Sequence, residues 1–187
     1  MPHTDAAAVA LAREGDSDAF RSLVDRHSRA VYRLAHRMTG SPQDAEDVVQ
    51  ETFLKAYRQL GRFESRANFS TWLHRIAVNC SIDLIRSRRA RYDHASTDDL
   101  NPMEQPEADV PNPERLAASE QIERKVAAAM TELSPLERAA FTLRHYEGRS
   151  IAEIGRTLGL GTSATKHSVF RAVRKLRAAL EPLRGES

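Results

Sequence analysis

The sequence predicts an all-α chain built as two small helical domains, and three observations carry that expectation. Apolar residues recur at three- and four-residue spacing through most of the 187 residues. Capping residues and glycines bracket nearly every such run. β-Branched runs are absent, and a stretch rich in acids and prolines separates the two periodic halves.

The first half supplies four helices. Asp5 to Glu14 reads as a short helix ended by Gly15. Ser17 is expected to cap a long helix carrying Phe20, Leu23, Val24, Val31, Leu34, Ala35 and Met38, with Gly40 as its stop. Ser41-Pro42 is a cap followed by proline at the first helical position. The third helix then carries Ala45, Val48, Val49, Thr52, Phe53, Ala56, Tyr57 and Leu60 up to Gly61. R-F-E-S-R-A-N-F is too irregular for either period and reads as a loop. From Ser70 a fourth helix runs through Trp72, Leu73, Ile76, Ala77, Leu84 and Ile85 into the basic tail Arg86, Arg88, Arg89 and Arg91. Four helices joined by short turns make a bundle.

Beyond Arg91 the composition changes. Seven acids face one base through Ala118, with prolines at 102, 106, 111 and 113, which reads as an extended acidic linker. From composition alone, solubility is sufficient reason for it. The second half opens at Asn112-Pro113, and Leu116, Ile122, Val126, Ala129, Met130 and Leu133 form its first stripe. Ser134-Pro135 with Glu137 predicts a capping box at the next helix, which carries Phe141, Leu143 and Tyr146. Ser150 with Glu153 predicts another, over Ile151, Ile154 and Leu158, before Gly159 and Gly161 punctuate a turn. Ser163 is expected to cap the last helix, with Val169, Val173, Leu176 and Leu180 inward. The expected boundaries are 1–91 for the bundle, 92–112 for the linker and 113–187 for a helix-turn-helix domain. No internal repeat connects the halves.

Composition excludes several classes of function. Lys and Arg number 28 against 26 Asp and Glu, so the formal charge of +2 decides nothing and its distribution matters more. Cys80 is the single cysteine, which rules out an internal disulfide and a cysteine-built zinc site; among Ile76, Ala77 and Leu84 it reads as a small buried hydrophobe. The N-terminus has acids and no basic leader before its short apolar run, and no uncharged apolar run approaches the roughly 18 residues of a membrane span. A cytoplasmic protein without membrane insertion is expected. There is no H-E-x-x-H, G-x-S-x-G, G-x-x-x-x-G-K or dinucleotide fingerprint, and no two of the seven histidines stand at i, i+4. No enzyme, cofactor or metal is therefore expected. Asp44, Glu46, Asp47 and Glu51 cluster, but they open a helix, where the dipole favours acids without any ligand.

Two basic surfaces remain. The face of the last helix opposite its apolar stripe offers Thr165, Lys166, His167, Phe170, Arg171 and Arg174, the arrangement with which a helix-turn-helix reads the major groove. The bland reading is an amphipathic hairpin with a solvated basic face. The second surface is the 70–91 helix, with Trp72 near its start and Phe63 and Phe69 just before it. Aromatics beside cations suit unstacked bases, since every base has a π-face. The alternative is that these rings are simply core.

Several blocks in order resemble a known family. D-A-E-D-V-V-Q-E-T-F-L-K-A-Y, F-S-T-W-L-H-R-I-A-V-N-C-S-I-D-L-I-R-S-R-R, L-S-P-L-E-R-A-A-F-T-L-R-H-Y-E-G-R-S-I-A-E-I and the hairpin after it resemble bacterial RNA polymerase sigma factors of the extracytoplasmic-function (ECF) class, sigma-70 family. The resemblance spans about Asp18 to Leu183. It implies a promoter-specificity subunit whose partners are core RNA polymerase, promoter DNA and an anti-sigma factor. For core polymerase it implies Asp44, Asp47, Val48, Gln50, Glu51, Phe53 and Leu54. For the −10 element it implies Phe63, Ser65, Arg66, Asn68, Phe69, Trp72, Arg75, Asn79, Arg86, Arg88 and Arg89. For the −35 element it implies Arg144, Ser163, Thr165, Lys166, His167, Phe170, Arg171 and Arg174. The linker is implied to thread basic channels of the polymerase. Where family members commonly show proline near Gly161, Gly-Thr at Ser163-Ala164 and a base at Ser168, this chain differs, so its −35 sequence is its own.

Rival readings leave features unexplained. A sigma-like decoy for an anti-sigma factor would lose the cations at Lys166, Arg171 and Arg174. A helix-turn-helix repressor would leave the Trp72 block and the acidic linker without purpose. A helical nuclease would need an acid cluster facing the basic surface.

Overall fold

A computed structural model describes residues 4–64, 68–95 and 113–181, the side chains of 92–95 and 113–121 excepted. Among the described residues there are eight α-helices and no strand: α1 (Asp5–Arg13), α2 (Ser17–Thr39), α3 (Pro42–Gln59), α4 (Phe69–Ala95), α5 (Pro113–Thr131), α6 (Pro135–Phe141), α7 (Ile151–Leu158) and α8 (Thr162–Leu180). The expected linker falls largely on 96–112, outside the described residues.

Local chemistry fixes most boundaries. Asp16 rather than Ser17 caps α2, its carboxylate accepting from the amides of Asp18 and Ala19. Ser41 caps α3 with Pro42 behind it, and the two capping boxes, Ser134 with Glu137 and Ser150 with Glu153, both close. Gly61 does not end the third helix. A short 3₁₀ turn over Leu60–Arg62 carries the chain past it to Phe63. Asn68 starts α4, its side-chain oxygen accepting from the amide of Ser70. α6 runs on through one π-helical turn, Thr142–Tyr146, which leaves Tyr146 exposed where simple periodicity puts it inside.

Leu23, Val31, Leu34 and Met38 of α2 meet Ala45, Val48 and Phe53 of α3 and Leu73, Ala77 and Val78 of α4, all buried. Cys80 is sealed in this core as a free thiol. Burial pushes its pKa up against the opposing pull of Lys55. A smaller core forms around Leu133, Met130, Ala172 and Leu176, where Lys175 donates to Glu137 at 2.7 Å.

The two halves are docked. Ala139, Ala140, Leu143 and Ile154 join the core of the first bundle, the small side chains of α6 letting it lie against α4. Arg138, 5% exposed, donates to the carbonyl of Met38 at the end of α2 at 2.8 Å, and no carboxylate meets it among the described residues. Burial, with Arg89 nearby, brings its pKa down to about 10. Arg37 donates to Glu147 at 3.0 Å and stacks 4.7 Å from the ring centroid of Tyr146. His74 of α4 sits at this seam with both ring nitrogens buried and, among the described residues, unpartnered, facing Glu147, Arg149 and His27.

Burial holds the His74 imidazole below its ordinary 6.5, with Arg149 and His27 acting in the same direction and Glu147 opposing. The undocked form therefore takes up the proton more readily as pH falls through 6.5, so docking weakens on acidification. Fluorescence transfer between labels on α2 and α8 should drop between about pH 7.5 and about pH 5.5, the range in which an ordinary histidine titrates. His74→Leu should flatten that profile; an unaltered profile in the variant would remove His74 as its cause.

Candidate nucleic-acid interface

Helix α8 presents the first candidate surface. Ser163, Lys166, His167, Phe170, Arg171 and Arg174 are all exposed, and Phe170 keeps 63% of its surface open. A large aromatic left in water amid cations is unusual for a surface that serves only solubility. Arg144 is also exposed, its guanidinium donating to the carbonyl of Arg149 at 3.0 Å. Thr165 does not belong to this face. It is fully buried, its hydroxyl donating to the carbonyl of Gly161 at 2.9 Å, which satisfies the oxygen and lets the residue pack inward. Nor does Ser163 cap the helix: Gly161 holds the N-cap position without a side-chain bond. The buried stripe follows Thr165, Ala172 and Leu176, while Val169, Val173 and Leu180 are half-buried.

What sets the turn between α7 and α8 is Gly155, which periodicity gave no reason to single out. A Cβ there would lie 2.7 Å from the Leu160 carbonyl oxygen and 3.1 Å from Thr165 Oγ1. The same backbone accepts the Leu160 amide at 2.8 Å. Gly159 supplies the left-handed residue that ends α7, at φ +67°. The glycine in the third position of the turn, Gly161, has room around it.

The second surface runs along α4. Arg75, Asn79 and Arg86 are exposed and fall within about 40° of one another around the helix axis, with half-buried Trp72 at the margin of the same stripe. Arg88 lies on the other side of the helix, ion-paired with Asp44 of α3. Arg89 is exposed but committed, donating to the carbonyls of Thr131 and Leu133 at 2.9 Å each. Phe63 and Phe69 are buried, and with Trp72 they form a three-ring cluster with centroids 5.0 to 5.8 Å apart. The two readings of these rings are thus divided: the phenylalanines are core, and Trp72 is the half-exposed ring of the three. Asn68 is exposed but caps α4, and Ser65 and Arg66 lie outside the described residues.

The third expected set lies on α3 and divides in the same way. Asp47, Gln50 and Leu54 are exposed, with half-buried Glu51 paired to Lys55 at 3.5 Å. Asp44, Val48 and Phe53 are interior, since their positions turn toward α2 and α4. Burial raises the pKa of Asp44 while Arg88 pulls it back, so this carboxylate braces the bundle rather than facing a partner. Asp83 of α4 joins Asp47 and Glu51 along the α3–α4 groove, and Tyr57, 56% exposed, extends the α3 face. Asp83 was not singled out from the sequence, and Tyr57, expected on the apolar stripe of the third helix, turns outward instead.

The chain matches the family described as Sigma-70 region 2 over residues 23–91 and that described as Sigma-70, region 4 over residues 123–176. It is 33% identical over 175 residues to the ECF RNA polymerase sigma factor SigW of Bacillus subtilis, covering 91% of this chain and 94% of that protein. The chain belongs to the ECF sigma factors of the sigma-70 family. This sigma factor is also 34% identical over 183 residues to the RNA polymerase sigma-H factor of Pseudomonas aeruginosa, covering 96% and 95% of the two chains. Among solved structures it is similar to CnrH in complex with the cytosolic domain of CnrY, with a TM-score of 0.66, 30% identity, and coverage of 95% and 97%. RpoE from Bartonella quintana, in complex with the anti-sigma factor NepR, shares the fold at a TM-score of 0.66 and 22% identity, covering 87% and 96%. The first matched block of the sigma factor takes in most of α2, all of α3 and most of α4; α1 precedes it. The second takes in the end of α5 through most of α8.

In this sigma factor, Gly155→Ala forces a Cβ onto backbone and should destabilise the helix-turn-helix by about 1–3 kcal/mol. Gly161→Ala, at φ −69° with nothing within 4 Å of the new carbon, should change stability by about 0.5 kcal/mol or less. Urea melts of the two variants provide the comparison, and equal midpoints would show that the close approach at Gly155 is not limiting.

Proposed function

We propose that this chain is a promoter-specificity subunit of bacterial RNA polymerase, acting in the cytoplasm on its own regulon and restrained by an anti-sigma factor. Residues 1–91 bind core polymerase and the −10 element, 92–112 tether, and 113–187 read the −35 element. One observation supports this above the others: a single chain carries an exposed cationic face around Phe170 on α8 and a second, distinct stripe of Trp72, Arg75, Asn79 and Arg86 on α4. The first suits duplex, read at base edges in the major groove. The second suits a strand already peeled open, where Trp72 offers a π-face and the arginines follow phosphates.

The exposed face of α3, Asp47, Gln50, Glu51 and Leu54, is the polymerase contact in this reading. The chain performs no covalent step and uses no cofactor. Strand opening draws on binding to unstacked bases and on polymerase contacts. CnrH and RpoE are seen with CnrY and NepR respectively, and by that likeness an anti-sigma partner is proposed here too.

Docking of the two halves defines what polymerase must change. Elements centred at −35 and −10 are about 25 base pairs apart, or about 85 Å of duplex at about 3.4 Å per pair. Helices α4 and α6, in direct contact, are far too close for both elements to be engaged at once. The seventeen residues from 96 to 112 reach about 60 Å at full extension, enough to separate the halves when the domains' own widths are added. Polymerase therefore holds the halves apart, breaking the Arg138–Met38 and Arg37–Glu147 contacts.

The direct test is transcription by purified core polymerase on a randomised promoter library with this chain added. Enriched −35 and −10 sequences at fixed spacing are expected; unchanged template composition would defeat the proposal. On the selected promoter, Arg171→Ala should cost about 1–3 kcal/mol at one −35 base pair and relax preference there. A uniform loss across all −35 sequences would instead make Arg171 a phosphate contact. Asp47→Lys should weaken core binding with the melting temperature unchanged, whereas Asp44→Lys should unfold the bundle by leaving Arg88 facing a like charge. Holoenzyme assembly by the Asp47→Lys chain at wild-type affinity would take the interface off this face of α3.

A further inference from the structure

Helix α1 lies before the first matched block, yet it reaches across to the aromatic cluster at two points. Arg13, near its C-terminal end, donates Nε–H to the carbonyl of Leu60 at 3.0 Å and Nη2–H to the carbonyl of Phe63. These two oxygens bracket the 3₁₀ turn through which the chain leaves α3. The guanidinium also lies 6.0 Å from the Phe63 ring centroid. At the other end of α1, Asp5 accepts from Arg26 at 2.9 Å and pairs with Nε2 of His27 at 2.8 Å. The His27 ring in turn packs edge-on against Phe69 at 5.4 Å. One short helix thus fixes Phe63 through its backbone and Phe69 through its ring, and both rings pack against Trp72 in tilted contacts, 5.0 and 5.7 Å between centroids.

We infer that α1 is a positioning element for opening of the −10 strand, and that Arg13 is its principal positioning residue. The inference rests on the reading of the α4 face given above. The residue type matters for a geometric reason. Leu60 O already accepts the Phe63 amide at 3.1 Å, so the turn closes locally without help. Closure leaves the direction of the chain beyond Phe63 free. A planar fork donating to both carbonyls at once fixes that direction, and an ammonium on a flexible stem does not reproduce the fork. Arg13 remains largely exposed, so its contribution is to orientation and not to burial of apolar surface. Trp72, half-buried and packed against both phenylalanines, is the ring whose tilt depends on the support. A small misplacement of a stacking ring is costly because base capture requires near-parallel planes.

The test uses holoenzyme assembled from core polymerase and the full chain, on the promoter selected in the library experiment. Two templates are compared: intact duplex, and the same promoter with the −10 region held open by mismatches. For Arg13→Ala, the open-complex lifetime on duplex should fall about tenfold, the factor that one charge-assisted hydrogen bond is worth. On the pre-opened template the loss should shrink to about twofold or less, since opening no longer has to be driven. Core affinity and melting temperature should stay at wild-type values. Arg13→Lys should behave like Arg13→Ala on duplex. Full rescue by lysine would show that charge alone is at work and overturn the role of the fork. Equal losses on both templates together with a lowered melting temperature would make Arg13 an ordinary structural residue, and no loss on either would remove it from the process. Failure of the wild-type chain to open duplex under any condition would instead strike the reading on which the inference rests.

Discussion

The guanidinium of Arg138, buried and held by the backbone oxygen of Met38, is the contact on which the shape of the molecule turns. It joins the end of α2 to the start of α6, and through α6 it sets where α7 and α8 lie. A cation taken out of water and met only by a neutral carbonyl regains part of its hydration energy and no more. Its lowered pKa, about 10, still leaves it charged at neutral pH. The seam carries further polar groups of the same kind: both nitrogens of His74 have no partner among the described residues, and Arg37 with Glu147 sits where solvent still reaches. Against these stand the apolar contacts of Ala139, Ala140, Leu143 and Ile154. The joint is thus held by modest apolar burial and opposed by incompletely solvated charge, whereas the interiors of the two halves are built mainly on large apolar side chains such as Leu23, Leu34, Leu73 and Leu133.

Charge segregation does the rest. A formal charge of +2 conceals a molecule with cations along α8 and the outer stripe of α4 and acids along the α3–α4 groove at Asp47, Glu51 and Asp83. Asp44 and Arg88, buried acid and half-buried base, tie α3 to α4 between those two fields. Lys55, paired with Glu51, offsets part of the acid in that groove, and the field of exposed charges such as these reaches about one Debye length, roughly 8 Å at physiological salt.

Much of this was legible in the sequence because it is local. The capping boxes at Ser134 and Ser150, the proline after Ser41, and the burial of Cys80 each need information from only a few neighbouring residues, and the structure has them as read. The exposed face of α8 followed from the period alone. What escaped depends on distant partners or on backbone. Thr165 looks polar in sequence and is buried because Gly161 offers its hydroxyl a carbonyl. Gly155 is indispensable for an approach that only the folded turn reveals. Docking of the halves relies on an arginine and a main-chain oxygen a hundred residues apart, for which no side-chain pattern exists. Arg88 is the instructive intermediate case. Helical geometry already sets it apart from Arg75, Asn79 and Arg86, but a run of arginines reads as one patch until each is assigned a direction.

The sealed thiol of Cys80 has a consequence of its own. Thiolate, not thiol, is what peroxide and disulfides attack, and this sulfur is both shielded by the bundle and held protonated by its surroundings. Attack at this sulfur is therefore disfavoured both by access and by protonation. Cys80 serves the bundle as a small apolar side chain, and its chemistry stays out of reach of whatever binds the outer faces.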